Sequence, residues 1–492
     1  MHDVAIVGGG PVGVATAIAL AQHDVDVVVL ERRTRPLEHS RAIGIHPPAL
    51  ELFERWGCLQ PLLEAGLPIR MGEVRCGGAV LGSLVFETTG GRHPFILSVP
   101  QQITERVLRC RLAELAPQAL VVGAEATGLE AIRDGSGILV RTTRGAVNAR
   151  WVIGADGPHG LTRSCFSTRR RIYPDRYVMA DAPDHTALNG AVLFFEANGV
   201  VESFPLPGGM RRWVIHLGYE SAAGSTDAGS VSGGSNAGGA SGGASVGEAA
   251  AKTAEIALSR SEQQESRCSE RQLLFSEHAD DGEALVGRAT DADAFARLVG
   301  DRTGIELDPR ELTTPSPFGV RHARAGPWDP NVLNGCLALV GDAAHEISPI
   351  GGQGMTLGWL NAADLADVLA DIVGDSEGGG ADGPGRSAQG PGRSGGGPGR
   401  SADDPSRGAK GPGRGEGGRG TPDDALRAWA ITAERRQRIA ARQASFNTAM
   451  GRPRGPVALA LRNLLVRGIA LPPLEKRLAR IFTMAAPARL GR

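Results

Sequence analysis

Residues 1–31 limit the possible folds more than any other stretch. Val4–Val7 is a short apolar run suited to a buried strand, Gly8-Gly9-Gly10-Pro11-Val12-Gly13 follows it directly, and the alanine-rich segment Val14–Gln22 reads as a helix. A second apolar run, Val25–Leu30, ends at Glu31. A G-x-G-x-x-G string between a strand and a helix, with an acid about 20 positions on, is the dinucleotide-binding fingerprint. Its glycines let backbone approach a pyrophosphate, the free N–H groups of the helix N-terminus favour negative charge, and the acid holds a pair of ribose hydroxyls. The bland alternative, a tight strand–helix turn without a ligand, does not require that setting. Glu31 would repel a 2′-phosphate, which disfavours NADP as the tightly held ligand, although Arg32 and Arg33 beside it leave that alternative open.

A second constrained stretch comes late. Leu337–Val340 is a strand-like run, Gly341 turns the chain into Asp342, and Pro349 interrupts regular structure. Gly351, Gly352 and Gly354 remove Cβ atoms ahead of an apolar-periodic helix expected over Leu357–Val373. Alone, such a fragment is an ordinary strand–helix turn. Midway, a strand at Trp151–Ile153 delivers Asp156 within Gly154-Ala155-Asp156-Gly157.

With these three motifs in this order, the chain resembles the class A flavin-dependent monooxygenases of the para-hydroxybenzoate hydroxylase type. The resemblance covers most of the chain outside two low-complexity insertions, and in the C-terminal third it extends only to about Val373. It implies an α/β fold in which a Rossmann-like FAD-binding domain is interleaved with an antiparallel β-sheet substrate domain, followed by C-terminal helices. It further implies an extended FAD. Gly8, Gly10, Pro11, Val12 and Gly13 would lie along the nucleotide, Glu31 and Arg32 by the adenosine ribose, and Asp342 at the ribityl chain. Pro349, Gly352, Gln353, Gly354, Met355 and Thr356 would lie near the flavin ring, and Arg41, Gln101 and Asp156 match family positions near the cofactor. The chain departs from the family pattern at Gly160, Thr162 and Thr356, where Ser, Val and Asn are usual, and retains Arg163.

The implied activity uses NADPH or NADH as a transient reductant, with O2, to hydroxylate an aromatic, phenolic or quinone-like small molecule through a flavin C4a-hydroperoxide. No protein side chain supplies an electrophilic oxygen, which fits the lack of any conspicuous nucleophile–base pair. Two rival readings share the fingerprint: an FAD-dependent reductase or dehydrogenase acting on a prenyl or lipid substrate, and a non-catalytic FAD-fold scaffold whose insertions recruit a partner. A halogenase is disfavoured, because the six tryptophans form no W-x-W-x-x-P string.

Charge balance, 53 basic against 54 acidic residues, provides no global field for nucleic acid. Six scattered cysteines without a C-x-x-C pair argue against zinc and a disulfide framework, and for a reducing compartment. The chain opens directly into its first strand, leaving no room for a signal peptide, and no apolar run is long enough for a membrane span. The expected location is the cytoplasm, with peripheral membrane contact as an option.

The expected FAD-binding segments are 1–72, 101–165 and 325–373, with substrate-domain segments 73–100 and 166–324 between them. Strand pieces over Glu73–Val99 would start the substrate-facing sheet, and Gln101–Leu115 would return the chain as an amphipathic helix. His46-Pro47-Pro48 precedes a helix over Ala49–Trp56, and His39 and His46 read as loop or capping residues. A hairpin over Gly128–Val140 turns at Asp134-Gly135.

Antiparallel strands follow at Val192–Glu196, Val200–Phe204 and Arg212–Leu217. Alternation puts Arg212 and His216 on one face, either in water, the commoner case, or favouring a phenolate as catalytic groups. Phe318 and Val320 are candidates for a pocket wall or plain core, and His345 reads as a packing residue.

Ser221–Lys252 is a Gly/Ser/Ala-rich flexible insertion, and Gly374–Pro422, with its recurring Gly-Pro-Gly-Arg, is expected to be a disordered linker. A charged helix over Asp423–Gln443 then leads to an apolar-basic pattern in Pro456–Met484. That pattern is either a helix packed on the nucleotide domain or an interfacial helix admitting a lipid-tailed substrate.

Overall fold

The computed structural model describes residues 1–35, 42–219, 291–348, 350, 352–378, 421–471 and 474–484. Ser221–Lys252, residues 379–420 of the second insertion, His39, Arg41 and Pro349 lie outside the described residues.

His2–Val7 is the centre of a seven-stranded sheet, parallel to Val27–Glu31 on one side and to Gly145–Gly154 on the other. Leu120–Val122 extends it beyond Val27–Glu31, and Leu337–Leu339 pairs in parallel with the end of Gly145–Gly154. The register sets Val7 opposite both Leu30 and Gly154, and Gly154 opposite Leu339. All three motif-bearing strands therefore end at one edge. Alternation sends Val4, Ile6 and Val29 toward helices Pro11–Ala21, Gln101–Leu115 and Gln353–Gly378. It sends Ala5, Val7, Val28 and Leu30 toward Ile138, Val140 and Phe166. Burial on both faces is why these strands read as unbroken apolar runs.

An eight-stranded sheet forms the second layer, in the order His345–Glu346, Ser316–Ala325, Thr168–Pro183, Met210–Tyr219, Gly199–Leu206, Ala191–Glu196, Met71–Cys76, Ala79–Val85. One face packs Val178, Val201, Trp213 and Ile215 against Phe295 and Val299 of helix Ala292–Thr303. The other face turns toward the nucleotide layer.

Several boundaries move, each for a local reason. The first helix starts at Pro11 rather than Val14 and the second at Pro47 rather than Ala49, because proline is preset for the first helical turn, where its missing N–H is not needed. The late helix spans Gln353–Gly378, so Gly354 sits inside its first turn and the residues 374–378 assigned to the linker are helical. The charged helix runs Pro422–Gly451: a Thr421–Asp424 capping box starts it, and buried Ala440, Ala444 and Met450 carry it past Gln443.

Two assignments are corrected outright. Ile96–Ser98 leaves the large sheet and joins Gly44–Ile45 and Leu67–Ile69 in a small three-stranded one. The C-terminal helices Pro456–Ile469 and Leu474–Phe482 pack on the substrate layer, not on the nucleotide layer. Arg462 is buried there, donating to the carbonyls of Phe195 and Met450, and Phe482 stacks on Phe86 with ring centroids 6.0 Å apart.

Phe295 is fully buried and remote from the edge where the motifs meet. Phe295→Ala is expected to cost about 3–5 kcal/mol in denaturant unfolding, while flavin content at fixed protein concentration stays that of the parent.

Candidate functional site

The glycine string is built by close approach. A Cβ on Gly13 would lie 1.9 Å from the Gly8 carbonyl oxygen, so only glycine lets the helix leave the strand at this angle. A Cβ on Gly10 would meet nothing within 4 Å, because that position faces open space at the N-terminus of helix Pro11–Ala21. Glu31 holds the turn from below: the Gly9 N–H donates to Oε2 at 2.7 Å, and the Arg33 N–H donates to Oε1 at 2.9 Å. Two longer-range ties complete the seat, Arg109 Nη2 to the Gly9 carbonyl at 3.1 Å and Trp359 Nε1 to the Pro11 carbonyl at 3.0 Å.

The middle motif carries its own compensation. A Cβ on Gly160 would fall 1.9 Å from Asp156 Cγ, so the Asp156 carboxylate occupies the space a side chain would take. From there it accepts from the Thr162 N–H at 2.9 Å and the Thr162 hydroxyl at 2.6 Å. The departures at 160 and 162 are thus one coupled change. Arg163 is buried and donates through Nη1 to the carbonyls of Pro158, at 3.1 Å, and Asp342, at 3.2 Å, fastening the middle motif to the late one. Burial pushes the Asp156 carboxyl above its ordinary range, against the Thr162 hydrogen bonds.

Asp342 is exposed to the open cavity, with protein crowded around it on its other sides. Burial first, then the nearby Glu346 charge, push its pKa up from 3.8 to about 6, against the pull of Arg163. His345, fully buried, is pushed down to about 4 by burial and serves as packing.

A continuous cavity of about 1370 Å³ joins these parts to the eight-stranded sheet. Of the residues expected at a cofactor, Gly8, Gly10, Pro11, Val12, Glu31, Arg32, Gln101, Asp156, Asp342, Gly352, Gly354 and Met355 line it. Gly13 is buried in the first turn of helix Pro11–Ala21 against Gly8, and Thr356 is fully buried, its hydroxyl 3.5 Å from the His46 N–H. Gln353 turns away and donates to the Phe482 carbonyl at 3.4 Å. Arg41 and Pro349 lie outside the described residues.

The two catalytic nominees part company. Arg212 lines the cavity, but its guanidinium is bound to Asp181 at 2.7 and 2.9 Å. His216, two alternations along the same face, does not line the cavity. It is fully buried on Asp175 at 3.0 Å, which Arg452 also binds, so this is a structural polar cluster and His216 is corrected to a packing role. The face is not in water, because the nucleotide layer and C-terminal helices cover it. Phe318 lines the cavity, stacked on Tyr177 at 5.5 Å, whereas Val320 is core. Sequence reading missed Phe86, Glu202, Phe204 and Phe482 in the wall. Glu202 alone left a signal, a lone acid inside an apolar strand.

A family profile described as "FAD binding domain" matches residues 1–228 and 251–379. The chain belongs to that family. The break in the FAD-domain match falls inside the Gly/Ser/Ala-rich insertion, and the match ends where the Gly/Pro/Arg segment begins. The rifampicin monooxygenase of Streptomyces venezuelae is 36% identical over 168 residues, 33% of each protein. The 3-(3-hydroxy-phenyl)propionate/3-hydroxycinnamic acid hydroxylase of Burkholderia cenocepacia is 32% identical over 387 residues, 75% of this chain and 57% of that protein. These alignments thus span a third to little over half of the relatives' lengths. Among solved structures, p-nitrophenol 4-monooxygenase from Pseudomonas putida superposes with a TM-score of 0.67 over 98% of both chains at 16% identity, a likeness of fold.

FAD fits the residues present. The Glu31 carboxylate, the open space at Gly10 with the helix N-terminus beyond it, and the Asp342 carboxylate suit, in order along the cavity, a ribose, a pyrophosphate and a polyhydroxyl chain. Asp342 without ligand holds its proton up to about pH 6. Hydroxyl donors favour its anion, so FAD binding expels that proton, and affinity should rise with pH up to about 6 and level off above it. Fluorescence-quenching titrations of the flavin-free protein should show that slope in the parent and a flat, weaker profile in Asp342→Asn.

Proposed function

We propose that this protein is an FAD-dependent monooxygenase that uses NADPH or NADH and O2 to hydroxylate an aromatic, phenolic or quinone-like small molecule. The observation that carries the reading is the single cavity running from Glu31 past Asp342 to an apolar sheet face, large enough for a dinucleotide and a second molecule. The activities of the relatives, monooxygenase and hydroxylase, support it over a reductase or a non-catalytic scaffold.

FAD, when bound and reduced, supplies the activated oxygen that no side chain can. The chain's own work is to seat, orient and dry. Glu31 would take the ribose hydroxyls, Asp342 the sugar chain, and the backbone at Gly352, Gly354 and Met355 the ring end. Met179, Phe204, Val214 and Phe318 would exclude water at the reacting end, with Phe482 over Phe86 closing it. Arg212, neutralised by Asp181, would position that wall instead of supplying a free charge.

A second feature supports peripheral membrane contact beside the cytoplasmic location. Val457, Leu461, Leu464, Leu471 and Leu474 bare their side chains, with exposed Arg467, Lys476 and Arg477, on and between helices Pro456–Ile469 and Leu474–Phe482, the second of which ends at Phe482 in the cavity wall. Among the described residues no single helix is long and apolar enough to cross a membrane.

Purified protein should carry a yellow flavin and oxidise NADPH or NADH with O2 uptake stimulated by a phenol or polycyclic polyketide, giving a product heavier by one oxygen in mass spectrometry. Flavin reduction without any substrate-linked oxygen incorporation across such a panel would return the reading to a reductase. In flotation assays the protein should rise with vesicles containing anionic lipid, and a Leu461→Ser, Leu464→Ser double variant should stay at the bottom of the gradient.

A further inference from the structure

The eight-stranded sheet turns one unmatched acid into the cavity. On strand Gly199–Leu206 alternation puts Glu202, Phe204 and Leu206 on one face, and the register sets Glu202 between Leu193 and Val214 of the flanking strands. Glu202 is 6% exposed, lines the cavity, and among the described residues has no hydrogen-bond partner. Arg212 stands two positions along the neighbouring strand from Val214, but both Asp181 oxygens already bind it. No protein group satisfies this carboxyl, which meets only what the cavity holds, and a leucine would pack the wall better. The missing partner is therefore sought in the cavity.

We propose that Glu202 receives a neutral, hydroxyl-bearing aromatic ring, accepting a hydrogen bond from its phenolic or enolic hydroxyl, and that it turns aromatic carboxylates away. This rests on the monooxygenase reading for its consequence but not for its test. Burial raises the Glu202 pKa from 4.5 to about 7, the range in which a carboxyl exchanges a proton at neutral pH. The hydroxyl proton passes to a Glu202 oxygen, and the electron pair left on the ring oxygen enriches the ortho and para carbons, where an electrophilic oxygen attacks. A carboxylated ring would bring a second anion into the same apolar wall, with Arg212 already neutralised by Asp181.

Calorimetric titration of the oxidised FAD-loaded protein with 2-naphthol and with 3-hydroxy-2-naphthoate, in the absence of reductant, separates the two ligand types. The parent should bind the naphthol about ten-fold or more tightly than the naphthoate. Glu202→Gln should weaken naphthol binding and strengthen naphthoate binding, each by several-fold, with an unchanged flavin spectrum reporting an intact fold. Glu202→Leu should abolish the preference altogether. Equal or tighter binding of the naphthoate by the parent, a preference untouched in both variants, or binding of neither probe overturns the proposal. Because binding is read without turnover, an absence of oxygen incorporation would sink the monooxygenase reading and leave this result standing.

Discussion

The parallel register between strands far apart in the chain is the constraint on which everything else depends. Val7 faces Leu30 and Gly154, and Gly154 faces Leu339, so the turns after these strands emerge side by side at one sheet edge. A slip of one residue would invert every buried side chain in strands that are apolar on both faces, and would pull the Asp156 and Asp342 turns off the first glycines. Direct ties hold the assembled edge: Glu31 to the Gly9 N–H, Arg163 to the Asp342 carbonyl, and Trp359 to the Pro11 carbonyl. The first closes the glycine string onto its own second strand, and the other two cross between motifs, so the three motifs are placed together.

Charge is handled unequally around the cavity, and the inequality separates scaffold from site. Asp181 with Arg212, Asp184 with Arg211, and Asp175 with His216 and Arg452 are matched clusters that hold the substrate sheet together. Asp156, Asp342 and Glu202 line the cavity with carboxyls pushed above their ordinary range, and of these Asp156 alone is held by side-chain hydrogen bonds within the protein, from Thr162. A folded chain tolerates such groups where a ligand completes them, and Asp342 and Glu202 open into the same cavity, one beside the glycine motifs and one on the sheet face.

Much of the cofactor half was legible in the chain because it depends on local backbone chemistry. A glycine whose Cβ would collide with the next turn, an acid at the end of the second strand, and a Gly-Asp pair after a buried strand are all short-range requirements. The substrate half was less legible. Alternation correctly put Arg212 and His216 on one face, but it could not say that the face would be covered, nor that Asp175 and Arg452 would claim the histidine. Likewise the apolar-basic pattern of Pro456–Met484 announced a packing helix but pointed to the nucleotide domain, whereas the helices pack on the substrate layer, a choice that no local spacing encodes.

The chain's local signals settle an FAD-binding α/β fold and the identity of its three nucleotide motifs, since strand, turn and helix signals lie within a few residues of one another. Which polar side chains are spent on one another, and which face the cavity, is settled in three dimensions. Partnering between strands brings together residues such as Glu202, Leu193 and Val214, and Phe86 with Phe482, from distant positions whose pairing no local spacing encodes.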